Sequence, residues 1–226
     1  MSTCALLFVK NPQPGQVKTR LHPCCSPAAA AALYRAFILD SAAILAGSSA
    51  AAKVVAYAPA TAAEAMRDLL GESVFELVPQ PEVDLGQRMD RLVRWSRARG
   101  ARRTVIIGSD SPSLPSSHID RALEMLEEHE VVLGPSTDGG YYLVGQSRAN
   151  SALFEGVDWS TGRVLEQTLD RLGEEGLGLL PPWYDVDTPS EAAFLKVHLE
   201  ALHRAGSRQG EHSLQLLREL DLPPPF

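Results

Sequence analysis

Apolar residues fall along this chain in two alternating rhythms. Short uninterrupted runs, CALLFV (4–9), KVVAYA (53–58), VFELVP (74–79), RTVIIG (103–108), EVVLGP (130–135) and YYLVGQ (141–146), read as buried strands. Between them lie stretches with helical spacing. Residues 27–46 are Ala-rich and put Leu33, Phe37, Ser41 and Ile44 on one face, stopping near Gly47. Thr61 and Glu64 have the spacing of a capping box for a helix that ends at Gly71. Met89, Leu92, Val93 and Ser96 mark a third helix, ended by Gly100, and Ile119, Leu123 and Leu126 mark a fourth. Residues 161–175 read as helix and are followed by LGLLPP. Thr188, Pro189 and Glu191 supply the cap, the first-turn proline and the third-position acid of a last long helix. A short helix over SLQLLREL and an LPPPF tail close the chain.

Alternating strands and helices, with near-continuous apolar strands, predict an α/β fold: a mostly parallel sheet covered on both faces. The 226 residues show no internal repeat and no break in composition, so the expectation is one domain over 1–226, with 210–226 as a C-terminal tail. In such sheets ligands bind beyond the carboxyl ends of the strands. Those ends are therefore where chemistry is sought.

Composition narrows the partners. Apolar content is 45%, charged content 22% and the net charge −7, which suits a soluble protein and argues against a general nucleic-acid binder. No signal peptide is expected, since the first apolar run stops at Lys10, and no run is expected to approach a membrane span. Three cysteines give no disulfide framework and point to a reducing cytoplasm. His22, Cys24 and Cys25 in HPCCSP lack further ligands at zinc spacing and read as loop residues. Oligomeric state is not legible.

Four strand ends carry unusual residues. After the first strand comes NPQPGQVKTRL, beginning just beyond Lys10. Pro12 and Pro14 stiffen this loop, and Gly15 allows close approach of its backbone to a ligand. Lys18 and Arg20 could hold phosphate oxygens, the one as a point charge and the other as a fork, or could be surface cations on a solvated turn. In GSDSPSL, Asp110 follows an apolar strand where a Mg²⁺ or Mn²⁺ ligand would sit; capping of the next helix suits Ser116 or Ser117 better. In GPSTDGGYYLVG, Asp138 could accept a proton or a hydroxyl, and Gly139 and Gly140 permit a tight bend, which is also a hairpin signal. In WYDVDTPSE, Asp185 and Asp187 point the same way if extended. They could share a cation or divide its inner and outer shells, or one could simply favour the helix N-terminus. Cations, a lone acid and an acid pair on one sheet edge suit a metal bound to a diphosphate.

FVKNPQPGQVKTRL, GSDSPSL, VVLGPSTDGGYYLVG, DWSTGRVLEQT and YDVDTP, in this order, resemble a bacterial family of small glycosyltransferases with the GT-A fold. These belong to the nucleotide-diphospho-sugar transferases, and some members are associated with arsenosugar biosynthesis or radical-SAM partners. The KTRL stretch is also similar to the phosphate loop of 2-phospholactate guanylyltransferases, and VDTP to the late metal motif of sugar nucleotidyltransferases. The resemblance implies a three-layer α/β/α, Rossmann-like GT-A fold with a mostly parallel, mixed sheet. It also implies a nucleotide-binding N-terminal half. Lys10, Pro14, Gly15, Lys18 and Arg20 would border the phosphates, and Asp84, Gly86 and Arg88 of VDLGQRM the nucleotide. Asp110 and Asp187, or Asp185, would hold Mg²⁺ or Mn²⁺. Gly139, Gly140, Trp159, Ser160 and Thr161 would face the acceptor, with Asp138 as candidate base; Trp159 reads equally well as a core-edge aromatic. The implied reaction is glycosyl transfer from a nucleotide-diphosphate sugar to a small acceptor. The alternative is nucleotidyl transfer from an NTP to a phosphorylated or acidic small molecule, with release of pyrophosphate. One departure favours the alternative: Asp110-Ser111-Pro112 lacks the second acid of an Asp-x-Asp metal motif.

Overall fold

The structure, a computed structural model, describes residues 2–71, 74–172 and 176–225. Its strands are β1 (Thr3–Lys10), β2 (Ala52–Ala58), β3 (Glu76–Pro79), β4 (Arg103–Ile107), β5 (Val131–Pro135), β6 (Tyr141–Gln146) and β7 (Leu177–Leu179). They form a sheet in the order β3-β2-β1-β4-β6-β5-β7. Every neighbouring pair is parallel except those of β6, which runs antiparallel to both β4 and β5. The expected mixed, mostly parallel sheet is thus what forms. Its antiparallel part is β6, joined to β5 by a hairpin around TDGG and paired with β4 on its other side.

The helices are α1 (Pro27–Gly47), α2 (Ala63–Leu70), α3 (Leu85–Ala98), α4 (Ser117–Met125), α5 (Val164–Leu169), α6 (Pro189–Arg204) and α7 (Glu211–Leu217). Strand side chains alternate between faces, so β1 sends Ala5, Leu7 and Val9 into one core and Cys4 and Leu6 into the other. The first core packs under α1, α2, α4, α6 and α7, the second under α3 and α5.

Some sequence expectations are corrected. Thr61 does not cap α2: residues 60–62 form a 3-10 turn closed by Ala62 N–H on Pro59 O, and the helix starts at Ala63. The third strand begins at Glu76, leaving Val74 exposed, and α5 is shorter than 161–175; residues 173–175 lie outside the described residues. Against the expectation that no run approaches a membrane span, α1 is long and apolar enough to cross one, with mean hydropathy 1.5. Two thirds of that stretch is buried in the protein, because the helix lies between the sheet and α7. Thr188 and Glu191 do form the expected capping box on α6.

The contact between α1 and α7 hinges on Asp40. This buried carboxylate accepts from His212 N–H (3.2 Å) and from Ser213 N–H (2.8 Å) and hydroxyl, doing for α7 what a cap residue would do. Asp40→Ala leaves the buried Ser213 donors without an acceptor and should lower stability by about 1–3 kcal/mol. Urea unfolding checks this; an unchanged midpoint would show that α7 is held by its apolar face alone.

Candidate active site

The carboxyl ends of β1 and β4 lie side by side where the strand order reverses, the place at which folds of this type form a ligand crevice. Lys18 stands on the loop after β1. Its backbone is left-handed (φ 48°), which turns the side chain inward, and only 4% of that side chain is exposed. The ammonium donates to Asp110 Oδ1 at 2.5 Å, Asp187 Oδ1 at 2.8 Å and Val186 O at 2.7 Å. Asp110 comes from the loop after β4 and Asp187 from the segment before α6, so one lysine ties three distant stretches together. Its Nζ also lies 5.8 Å and 5.4 Å from the ring centres of Tyr34 and Phe37 on α1. Burial pulls the Lys18 pKa down, but the charges of Asp110 and Asp187 outweigh it and hold it above the ordinary lysine value. For Asp187, burial raises the pKa; Lys18 first, then Arg20 and Lys10, bring it below the ordinary carboxylate value.

Asp185 and Asp187 turn to different protein partners. Asp187 meets Lys18 and, at 3.5 Å, the exposed Arg20, while its N–H donates to Glu191 Oε2. Asp185 is half-buried and accepts from Ser111 Oγ (2.5 Å) and Ser136 Oγ (3.0 Å). Burial, reinforced by the charges of Asp110 and Asp138 and opposed by the serine hydroxyls, pushes its pKa up to about 6. The segment is tied to the β4 loop by Val186 N–H on Asp110 O, 2.9 Å.

Beside this cluster a cavity of about 440 Å³ opens over the ends of β1, β2 and β3, with Lys10, Asn11, Gln16, Gln80, Glu82 and Arg88 among its walls. Val17, next to Lys18, lines it too. Gln80 donates both amide protons to main-chain carbonyls, Val9 O (3.1 Å) and Ala56 O (2.7 Å), so its amide oxygen is what it can offer a ligand. Arg88 is anchored by Nε on Val83 O at 2.7 Å. Lys10 and Arg88 thus reach the cavity, whereas Pro14 and Gly15 lie exposed on the preceding turn. Asp84 caps α3 through Gln87 N–H at 2.9 Å. Gly86 lies under Trp159, where a Cβ would come within 2.8 Å of the indole ring.

On the other side of the crevice, Asp138 is exposed and its Oδ1 accepts from Gly140 N–H at 2.9 Å. Gly139 has φ +90°, and a Cβ there would meet Gly162 O at 2.2 Å, so the turn at 136–140 packs tightly on the loop at 156–163. Trp159 in that loop is half-buried, edge-on to Tyr141 and against Phe154. Its neighbour Ser160 is left-handed (φ 65°) and exposed, and Thr161 Oγ1 donates to Asp158 O at 2.7 Å. Sequence reasoning missed Tyr34, Ser109, Ser111, Ser136 and Gln80. Tyr34 OH accepts from Lys10 N–H (3.1 Å) and pairs with Ser109 Oγ (2.8 Å) below Lys18. The signal available was the serine-rich GSDSPS run itself.

A family described as an uncharacterized protein conserved in bacteria (DUF2064) matches residues 42–161, and the chain belongs to it. A provisionally named nucleotide-diphospho-sugar transferase from Desulfovibrio desulfuricans G20 is 34% identical, over 97% of this chain and 95% of its own, with a TM-score of 0.86. A cytidylyltransferase from Leptospira borgpetersenii is 14% identical (TM-score 0.57, 97% of this chain, 93% of that one). Rv0371c from Mycobacterium tuberculosis in complex with manganese is 15% identical (TM-score 0.52, 86% and 98%). At such identity the last two speak for the fold alone. No curated protein matches the sequence.

The Asp185 environment sets a pH dependence. With the folded pKa near 6 and an ordinary value unfolded, the unfolded state ionises first, so stability falls as pH rises between about 4 and 6. Above that window the loss is complete, about 3 kcal/mol. Asp185→Asn, which keeps the shape, should therefore melt above the wild type near about pH 7.5, in chelator, and match it near about pH 4. A difference that does not change with pH would refute this account.

Proposed function

We propose that the protein transfers a glycosyl group from a nucleotide-diphosphate sugar to a small-molecule acceptor, with Mg²⁺ or Mn²⁺ as cofactor. The observation that carries this reading is the Lys18–Asp110–Asp187 cluster across the crevice, beside a cavity of nucleoside size. Its volume, about 440 Å³, lies within the range of small-molecule sites, roughly 300–1,000 Å³. The nucleoside would occupy that cavity between the β1 loop and Arg88, and the diphosphate would run toward Lys10, Lys18 and Arg20.

The residues fit a divalent ion that arrives with its substrate. Among the described residues no three His, Cys, Asp or Glu side chains converge on one point. Asp110 and Asp187, with side chains 44% and 40% exposed, each retain an oxygen not bound by Lys18. One or two carboxylates plus phosphate oxygens and water make an ordinary Mg²⁺ environment. When bound, the ion would neutralise charge on the departing diphosphate. The manganese complex of the Mycobacterium tuberculosis neighbour is in keeping with this. Asp185, held by two serines, would stand behind these acids.

The acceptor would enter over Gly139, Gly140, Trp159, Ser160 and Thr161. Asp138 would take the proton from its hydroxyl: one carboxylate oxygen is held by Gly140 N–H, which fixes the direction of the other. We place the reaction in the cytoplasm, since all three cysteines are free thiols. A second reading, nucleotidyl transfer with release of pyrophosphate, is favoured by one feature. Pro112 stands where a second acid of an Asp-x-Asp motif would be, and the second carboxylate comes instead from the late segment.

A thermal-shift panel of NTPs, NDPs and NDP-sugars, with and without Mn²⁺, tests both. A ligand at about 100 times its Kd should add about 2.7 kcal/mol. We expect the largest shift from one NDP-sugar with Mn²⁺, its loss in Asp110→Asn, and release of NDP on addition of acceptor. Pyrophosphate release from an NTP would select the second reading, and no nucleotide shift at all would reject both.

A further inference from the structure

We propose that Lys18 is an exchangeable counter-ion: without nucleotide it holds Asp110 and Asp187, and it yields them to the cation of an incoming metal–diphosphate while its ammonium passes to a phosphate oxygen. This rests on the site reading above but not on which group is transferred.

An ammonium has three protons, and here all three are spent: on Asp110, on Asp187 and on Val186 O. In this arrangement Lys18 has no donor left for a phosphate. Two of its acceptors are the carboxylates that a divalent ion would need. A dication drawn to both acids would lie close to the ammonium, and the lysine, only 4% exposed, has little water around it to weaken the repulsion from its own side. Lysine and metal therefore compete, unless the lysine finds another anion. An incoming diphosphate supplies one on the same side, where Lys10 and Arg20 also stand. The chain makes the move feasible: the lysine stem has four rotatable bonds, and the faces of Tyr34 and Phe37, 5.8 Å and 5.4 Å from Nζ, line the ammonium on a side where no hydrogen bond would have to be broken. Removing the lysine without supplying a cation would leave two carboxylates facing each other, which explains why a counter-ion is built in.

The arrangement predicts opposite effects on bare metal and on metal with phosphate. Binding of Mn²⁺ alone, read by the loss of its free-ion EPR signal, should be weak in the wild type. It should be at least about tenfold tighter in Lys18→Met, which keeps the stem and removes the charge. Lys18→Met with Asp110→Asn should lose that gain. Inorganic pyrophosphate, which itself chelates Mn²⁺, should raise the protein-bound Mn²⁺ measured by equilibrium dialysis in the wild type by a factor that falls at least about fivefold in Lys18→Met. Lys18→Gln serves in the same measurements if the methionine variant does not fold. Unchanged or weaker Mn²⁺ binding on loss of the charge overturns the competition, and an equal pyrophosphate effect in both proteins overturns the transfer to phosphate. If the neutral variants behave as expected while no nucleotide shifts the wild type, the counter-ion exchange stands and the transferase reading falls.

Discussion

A single ammonium group ties together the loops at the carboxyl edge of this protein's sheet. Lys18 reaches from the loop after β1 to the loop after β4 and to the segment before α6, and no other described ion pair joins all three. Buried ion pairs seldom stabilise in proportion to their Coulomb energy, because desolvation offsets it. Their effect is to fix geometry. Here the geometry is the placement of two carboxylates and a cation at the point where the sheet order turns back on itself, where ligands bind in folds of this type.

The surrounding structure supports that point at several levels. Tyr34 and Phe37 of α1 lie against the lysine, and Tyr34 is in turn fixed by Lys10 N–H and Ser109. Glu191 receives the N–H groups of both Asp187 and Thr188, so the capping box of α6 also sets the direction of Asp187. On the far side, Gly139 and Gly162 interlock and bring the 156–163 loop up to the crevice, with Trp159 lying over Gly86. Helix α3, beside the proposed nucleotide cavity, and the proposed acceptor-side loop are therefore in contact, so neither can shift without disturbing that packing.

Much of the fold was legible because it follows from local periodicity. Apolar runs such as CALLFV and RTVIIG have no amphipathic alternative and must be buried on both faces, which selects a central strand of a sheet covered on both sides. The capping box of α6 was legible for the same reason: Thr188 and Glu191 interact with backbone a few residues away. The Thr61 cap failed although its spacing was right, because the chain after Pro59 closes a 3-10 turn first and carries Thr61 past the cap position. The apparent membrane-length helix α1 shows the converse: its hydropathy is real, but burial depends on what packs against it.

The sequence by itself determined the strand–helix alternation, the sheet class and the strand ends on which polar residues fall, because these depend on periods of two and 3.6 residues. It also determined that Lys18, Asp110, Asp185 and Asp187 would occupy one edge. Only the tertiary structure decided which of them touch. Lys18 and Asp187 are 169 residues apart and meet at 2.8 Å, and Asp185 turns to Ser111 and Ser136 while Asp187 turns to the lysine. Such pairings depend on backbone direction at single residues, such as the left-handed Lys18, and on which neighbour removes water from a charge. Neither is encoded in spacing, because each is settled by contacts between segments that are distant in the chain.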